Sequence, residues 1–109
     1  MIIRYLDNRK KIMVALETPI CDFGWKAPEF NLIGIENKYY SFQDIKGTNG
    51  TLVMFICNHC PYVKSVINRI VEDVTTLKEK GIGVVAIMSN DVNDPKYGEE
   101  DSFDNMKLF

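Results

Sequence analysis

No apolar run in this sequence approaches the length needed to span a bilayer, and no long cluster of basic residues is present. The first absence argues against a membrane-spanning chain. The second, with a formal net charge of −2, argues against nucleic acid or an anionic membrane as partner. Cysteine is also scarce: there are three, at 21, 57 and 60, and two of them form a C-x-x-C. That is not the even, widely spaced framework of a small disulfide-held secreted domain, so a redox pair or half of a metal site is the better reading. Internal repeats and low-complexity tracts are lacking, which excludes solenoid and fibrous architectures.

What is present fits one globular domain. At 109 residues, 46% of them hydrophobic and 26% charged, the chain is long enough for a modest core. Arg4, Arg9, Lys10 and Lys11 precede a short apolar run, Ile12 to Leu16, too brief for a secretory leader. The expected compartment is therefore the cytoplasm, where the cysteines rest mostly as dithiols.

The stretch Phe55-Ile56-Cys57-Asn58-His59-Cys60-Pro61-Tyr62 joins an apolar strand to an amphipathic helix. Cysteines at a strand's carboxyl end and a helix's amino end face unsatisfied N–H groups and the positive end of the helix dipole, which favour a thiolate. The thiolate is the attacking group in thiol–disulfide exchange, and a free cysteine, with its pKa of about 8.5, is only a few per cent ionised at neutral pH. Such a junction activates what the strand presents.

Taken in order, two apolar runs at 2–6 and 12–16 predict a hairpin or a loose extension, and 1–26 as a whole reads as an amino-terminal extension. Within it, Cys21 is expected as a small side chain half covered by a loop. Residues 27–32 alternate like a short strand, 34–38 turn, and 39–42 supply a hairpin partner. Ser41 is positioned to cap a brief helix through Ile45, closed by Gly47. Thr51 to Ile56 reads as a strand buried on both faces. Apolar residues at Val63, Val66, Ile67, Ile70, Val71, Val74 and Leu77 then mark a helix started by Pro61 and ended by Gly81. Full burial of those seven would contribute on the order of 10–20 kcal/mol before conformational entropy. Gly83 to Met88 is a second buried strand, so 51–88 forms a βαβ unit with an expected right-handed crossover and Cys57 at the carboxyl edge of the sheet. Ser89 to Asp104 is acidic and is expected as a solvated loop, after which Ser102 caps a helix from Phe103.

At these residues the chain resembles the thioredoxin-like superfamily, and more closely its redoxin (AhpC/TSA-like) branch. Ala-Pro-Glu-Phe-Asn-Leu at 27–32 looks like the branch's opening A-P-x-F-x-L, while 52–63 and 86–91 are similar to bacterial thioredoxin-family proteins carrying C-N-H-C-P-Y. The resemblance implies an α/β thioredoxin-like fold with a central, mainly parallel sheet. It also implies Cys57 as nucleophile, Cys60 as resolving thiol, and no cofactor beyond their redox-active disulfide. Implied partners are protein or small-molecule disulfides and thiols, with a role in redox homeostasis or antioxidant defence. Ile56 stands where the usual tryptophan precedes the first cysteine, and the strand 51–56 lacks the buried acid that thioredoxins use as proton acceptor. His59, placed as in the C-P-H-C of periplasmic oxidases, is the replacement expected to stabilise the thiolate. The last proline is Pro95, before the place where thioredoxin-like proteins carry their cis-proline loop, so the fold is expected to be incomplete at its carboxyl end.

Two other functions compete. A peroxidase of the peroxiredoxin kind needs P-x-x-x-[ST]-x-x-C, but Gly50 and Met54 stand where Cys57 would require proline and Ser or Thr. A metal-binding module would use Cys57, Cys60 and His59 or Cys21, although structural zinc wants four ligands, usually from two separated pairs. Trp25 and Tyr62 are expected in ordinary packing roles.

Overall fold

The computed structural model describes residues 20–109, and the apolar runs at 2–6 and 12–16 lie outside them. Strand β1 (Asn31–Ile33) pairs antiparallel with β2 (Tyr39–Ser41), with Leu32 opposite Tyr40. The turn between them is closed by Gly34 N–H donating to the Lys38 carbonyl at 2.7 Å. Asn37 takes φ of 60°, a left-handed conformation that asparagine tolerates better than most residues. Helix α1 (Phe42–Ile45) follows directly, its start held by Asp44, whose carboxylate accepts both the Ser41 N–H and hydroxyl at 2.7 Å.

Strands β3 (Gly50–Phe55) and β4 (Ile82–Ile87) pair in parallel, with Val53 opposite Val85, and α2 (Pro61–Glu79) connects them. The expected βαβ unit is therefore present. Pro61 occupies the first helical position, and the first turn closes with Lys64 N–H on the Cys60 carbonyl. At the far end, Gly81 turns at φ of 76°, and Asn49, from the turn before β3, donates its side chain to the Lys80 carbonyl at 2.8 Å. One short turn thus ties the end of α2 to the start of β3.

Two expectations about burial are corrected. Of the seven apolar residues on α2, Val63, Ile67, Ile70, Val74 and Leu77 form a half-covered stripe, while Val66 and Val71 are exposed. Strand β3 is not buried on both faces, since Phe55 is 57% exposed and Leu52 and Val53 are also open. The reason is geometric: among the described residues the helices α1 and α2 pack chiefly on β4 of this parallel pair, so β3 lacks the cover on both faces that double burial needs. The buried apolar residues, Ile87 and Met88, sit instead at the carboxyl end of β4.

Close backbone approach places α1 against β4. A Cβ on Gly83 would collide with the Ile45 carbonyl and lie 2.6 Å from the Gly47 nitrogen. Gly83→Ala is expected to destabilise the fold by about 1–3 kcal/mol, read as a lowered urea midpoint. An unchanged midpoint would mean that this contact is not part of the native packing.

Candidate functional site

The sheet ends at the cysteines. Ile56 N–H still reaches the Ile87 carbonyl at 3.0 Å, one residue beyond β3, and the chain then leaves the ladder at Cys57. Cys57 is half buried and free, and Cys60, also half buried and free, is the N-cap of α2. A strand end and a helix start therefore hold the two thiols three residues apart in one short loop, where helix N–H groups favour negative charge.

A buried carboxylate anchors that loop. Asp101 is 0% exposed, and its two oxygens accept four hydrogen bonds. One oxygen takes the backbone N–H of Asn58 at 2.9 Å and of His59 at 3.2 Å. The other takes the Asn90 side-chain amide at 2.8 Å and pairs with Nδ1 of His59 at 2.6 Å. Asn58, 8% exposed, donates its own side chain to the Glu100 carbonyl at 3.0 Å. Tyr97 lies flat on the His59 ring, with centroids 4.3 Å apart and planes within 9°. Burial alone would raise the Asp101 carboxyl. The bonds from Asn90, His59 and the two backbone N–H groups outweigh that effect and hold it below its ordinary 3.8.

The expectation of a solvated loop from Ser89 to Asp104 is thus corrected at its most consequential residue. Its first half is exposed, but Asp94 accepts from the Lys96 and Tyr97 N–H groups at 2.8 Å and folds the chain back. Gly98 is buried against the Val92 and Asp94 carbonyls, where no side chain fits. Ser102 then caps α3 (Phe103–Leu108) as expected, accepting from Asn105 N–H. The turned arm delivers Asp101 to the cysteine loop.

Cys57 and His59 come together: the Cys57 sulfur, a ring nitrogen of His59 and an Asp101 oxygen all lie within 4.8 Å of one another. Among the described residues this is the one cluster with metal-ligand chemistry, and neither Cys60 nor Cys21 belongs to it. A cation there would have to displace the 2.6 Å His59–Asp101 bond, because one Asp101 oxygen already accepts two backbone N–H groups and the other already accepts the Asn90 amide. Cys21 is exposed rather than half covered, and Trp25 and Tyr62, expected to pack, are 68% and 81% exposed. Sequence reading missed Asp101, Asn90 and Tyr97. One acid among six between 89 and 104 carries no periodicity or motif to mark it.

A testable consequence concerns acid stability. The native Asp101 carboxyl titrates below 3.8, so its contribution is complete above that value and is lost as pH falls through the lower native value. The unfolding free-energy difference between the parent and Asp101→Asn should shrink as pH falls from about 5 toward 3, as read by urea unfolding across that pH series. A difference that does not vary with pH would contradict an ionised, hydrogen-bonded Asp101.

With this geometry in view, comparisons place the chain. It is similar to an uncharacterized conserved protein from Geobacillus kaustophilus, at 36% identity and a TM-score of 0.73, covering 85% of this chain and 51% of that one. It also shares its fold with a hypothetical protein from Sinorhizobium meliloti, at 24% identity and a TM-score of 0.73, covering 83% and 48%. The chain thus spans about half the length of these structures. No curated protein matches it. No described helix is long and apolar enough to cross a membrane. Residues 23–107, from before the hairpin through the cysteine loop and the Asp101 arm, match the AhpC/TSA family, and the chain belongs to that family, with its thioredoxin-like fold.

Proposed function

We propose that this protein is a thiol–disulfide oxidoreductase working through Cys57 and Cys60, and that it acts in the cytoplasm on protein or small-molecule disulfides and thiols. The observation that carries the reading is the pair of free thiols at the strand-to-helix junction, one of them beside His59. The Cys57 thiolate attacks a substrate disulfide, its S–S bond breaks, and a mixed disulfide forms as the first substrate thiolate leaves. Cys60, as thiolate, then attacks the Cys57 sulfur, closing Cys57–Cys60 and releasing the second substrate thiolate. Two electrons pass from the dithiol to the substrate, and the two thiol protons pass to the leaving sulfurs. No further cofactor takes part.

Membership of the AhpC/TSA family favours peroxide turnover as a second reading. Against its ordinary form stand Gly50 and Met54, which occupy the positions where the peroxidatic motif carries proline and a hydroxyl residue.

The test is a redox titration in defined dithiol and disulfide buffers, in a Cys21→Ser background, with free thiols trapped by alkylation and located by mass. Cys57 and Cys60 should interconvert as a two-electron pair, Cys57→Ser should abolish exchange, and Cys60→Ser should stall at the mixed disulfide. A midpoint well above thioredoxin's roughly −270 mV would assign an oxidant or isomerase role. If no internal disulfide forms at any poise, the oxidoreductase reading fails. Peroxide consumption by Cys60→Ser at the parent's rate would favour the second reading.

A further inference from the structure

We propose that Asp101 is a positioning residue for the exchange reaction: it holds His59, one of whose ring nitrogens lies within 4.8 Å of the Cys57 sulfur, as the Nδ1–H tautomer, so that Nε2 is the nitrogen free to take up a thiol proton. This rests on the exchange reading above and adds to it a residue lying 44 positions from Cys57 in the chain.

Three of the four bonds to Asp101 come from groups that can only donate: two backbone N–H groups and the Asn90 amide. Those three donors, spread over both oxygens, favour the ionised carboxylate, which can only accept, so the fourth contact, Nδ1 of His59 at 2.6 Å, is the donor as well. The proton therefore sits on Nδ1, and the acceptor site of neutral His59 is Nε2. Stacking on Tyr97 fixes the plane of the ring. The nearby Asp94 also feels the His59 charge, but it is exposed and spends its carboxylate on the Lys96 and Tyr97 N–H groups. Lys96 sits over the outer system at 4.5 Å from the Tyr97 ring. Of the acids near His59, Asp101 alone makes a hydrogen bond to the ring among the described residues.

During exchange, Nε2 accepts the proton of an attacking thiol, and the imidazolium so formed is paired with Asp101. The proton returns to the departing substrate sulfur, so the histidine ends unchanged. This is the arrangement of a nucleophile, a base and a carboxylate that orients the base.

His59 is the only histidine in the sequence, so its ring can be observed without ambiguity. Nitrogen-15 ring shifts recorded across a pH series should show neutral His59 as the Nδ1–H tautomer in the parent protein. In Asp101→Asn, an amide oxygen can still accept from the Asn58 and His59 N–H groups while its NH₂ faces Nδ1, so the tautomer should switch to Nε2–H. The rate of exchange with glutathione disulfide should fall at least tenfold in Asp101→Asn and in His59→Gln, and the double variant should fall no further than His59→Gln alone. A parent Nε2–H tautomer overturns the proposal without any variant being needed. So does an additive double variant, because a merely structural Asp101 would weaken either background equally. If the parent forms no internal disulfide, the exchange reading fails, whereas a reversible disulfide with the wrong tautomer removes only the role of Asp101.

Discussion

A carboxylate buried out of contact with water is costly unless its charge is met by partners, and at Asp101 two backbone N–H groups, the Asn90 amide and the His59 ring meet it. Those donors come from two parts of the chain: the cysteine loop after β3, and Asn90 just beyond β4. The loop that carries both thiols is consequently held to the arm that follows the second strand, and neither segment can move without leaving the charge partly unpaired. Removing one member of such a network exposes the full cost of the others. The geometry of the thiols therefore depends on a residue that carries no sulfur and stands far from them in sequence.

Around that anchor the fold does ordinary work. The parallel pair β3–β4 and its crossover helix bring a strand end and a helix start to one place, and Cys57 and Cys60 occupy the junction. The helix contributes its N-terminal dipole, the sheet end contributes an exit direction, and Ile87 and Met88 supply the buried apolar end of β4. No acid lies in β3, and the buried carboxylate near Cys57 is Asp101, from the arm after β4.

The parallel pair also separates what a strand's composition suits from what surrounds it. Phe55, Leu52 and Val53 carry the composition of a doubly covered strand and yet are open to solvent among the described residues. The structures that this chain resembles are about twice the length of the part it matches. Composition reports the environment that a strand suits, and neighbours report the environment it has. In β3 the two differ.

Much of the local structure was legible in the residues themselves. The helical stripe from Val63 to Leu77, the Ser41 and Ser102 caps, the turn at 34–38 and the parallel strand pair all follow from short-range rules, because propensity, capping and periodicity act within a few residues. The placement of Cys57, Cys60 and His59 at a strand-to-helix junction was equally legible, since an apolar strand, C-x-x-C and an amphipathic helix follow one another directly in the sequence. Asp101, Asn90 and Tyr97 were not. An acid in an acidic run reads as solvated, and only the turn built on Asp94 and the room left by Gly98 bring this one into contact with the loop. The sequence by itself determined the elements and the thiols, through interactions that span one or two turns of chain. The tertiary structure alone decided which carboxylate meets the histidine, because that choice is made by the burial of one charge among donors more than forty residues away.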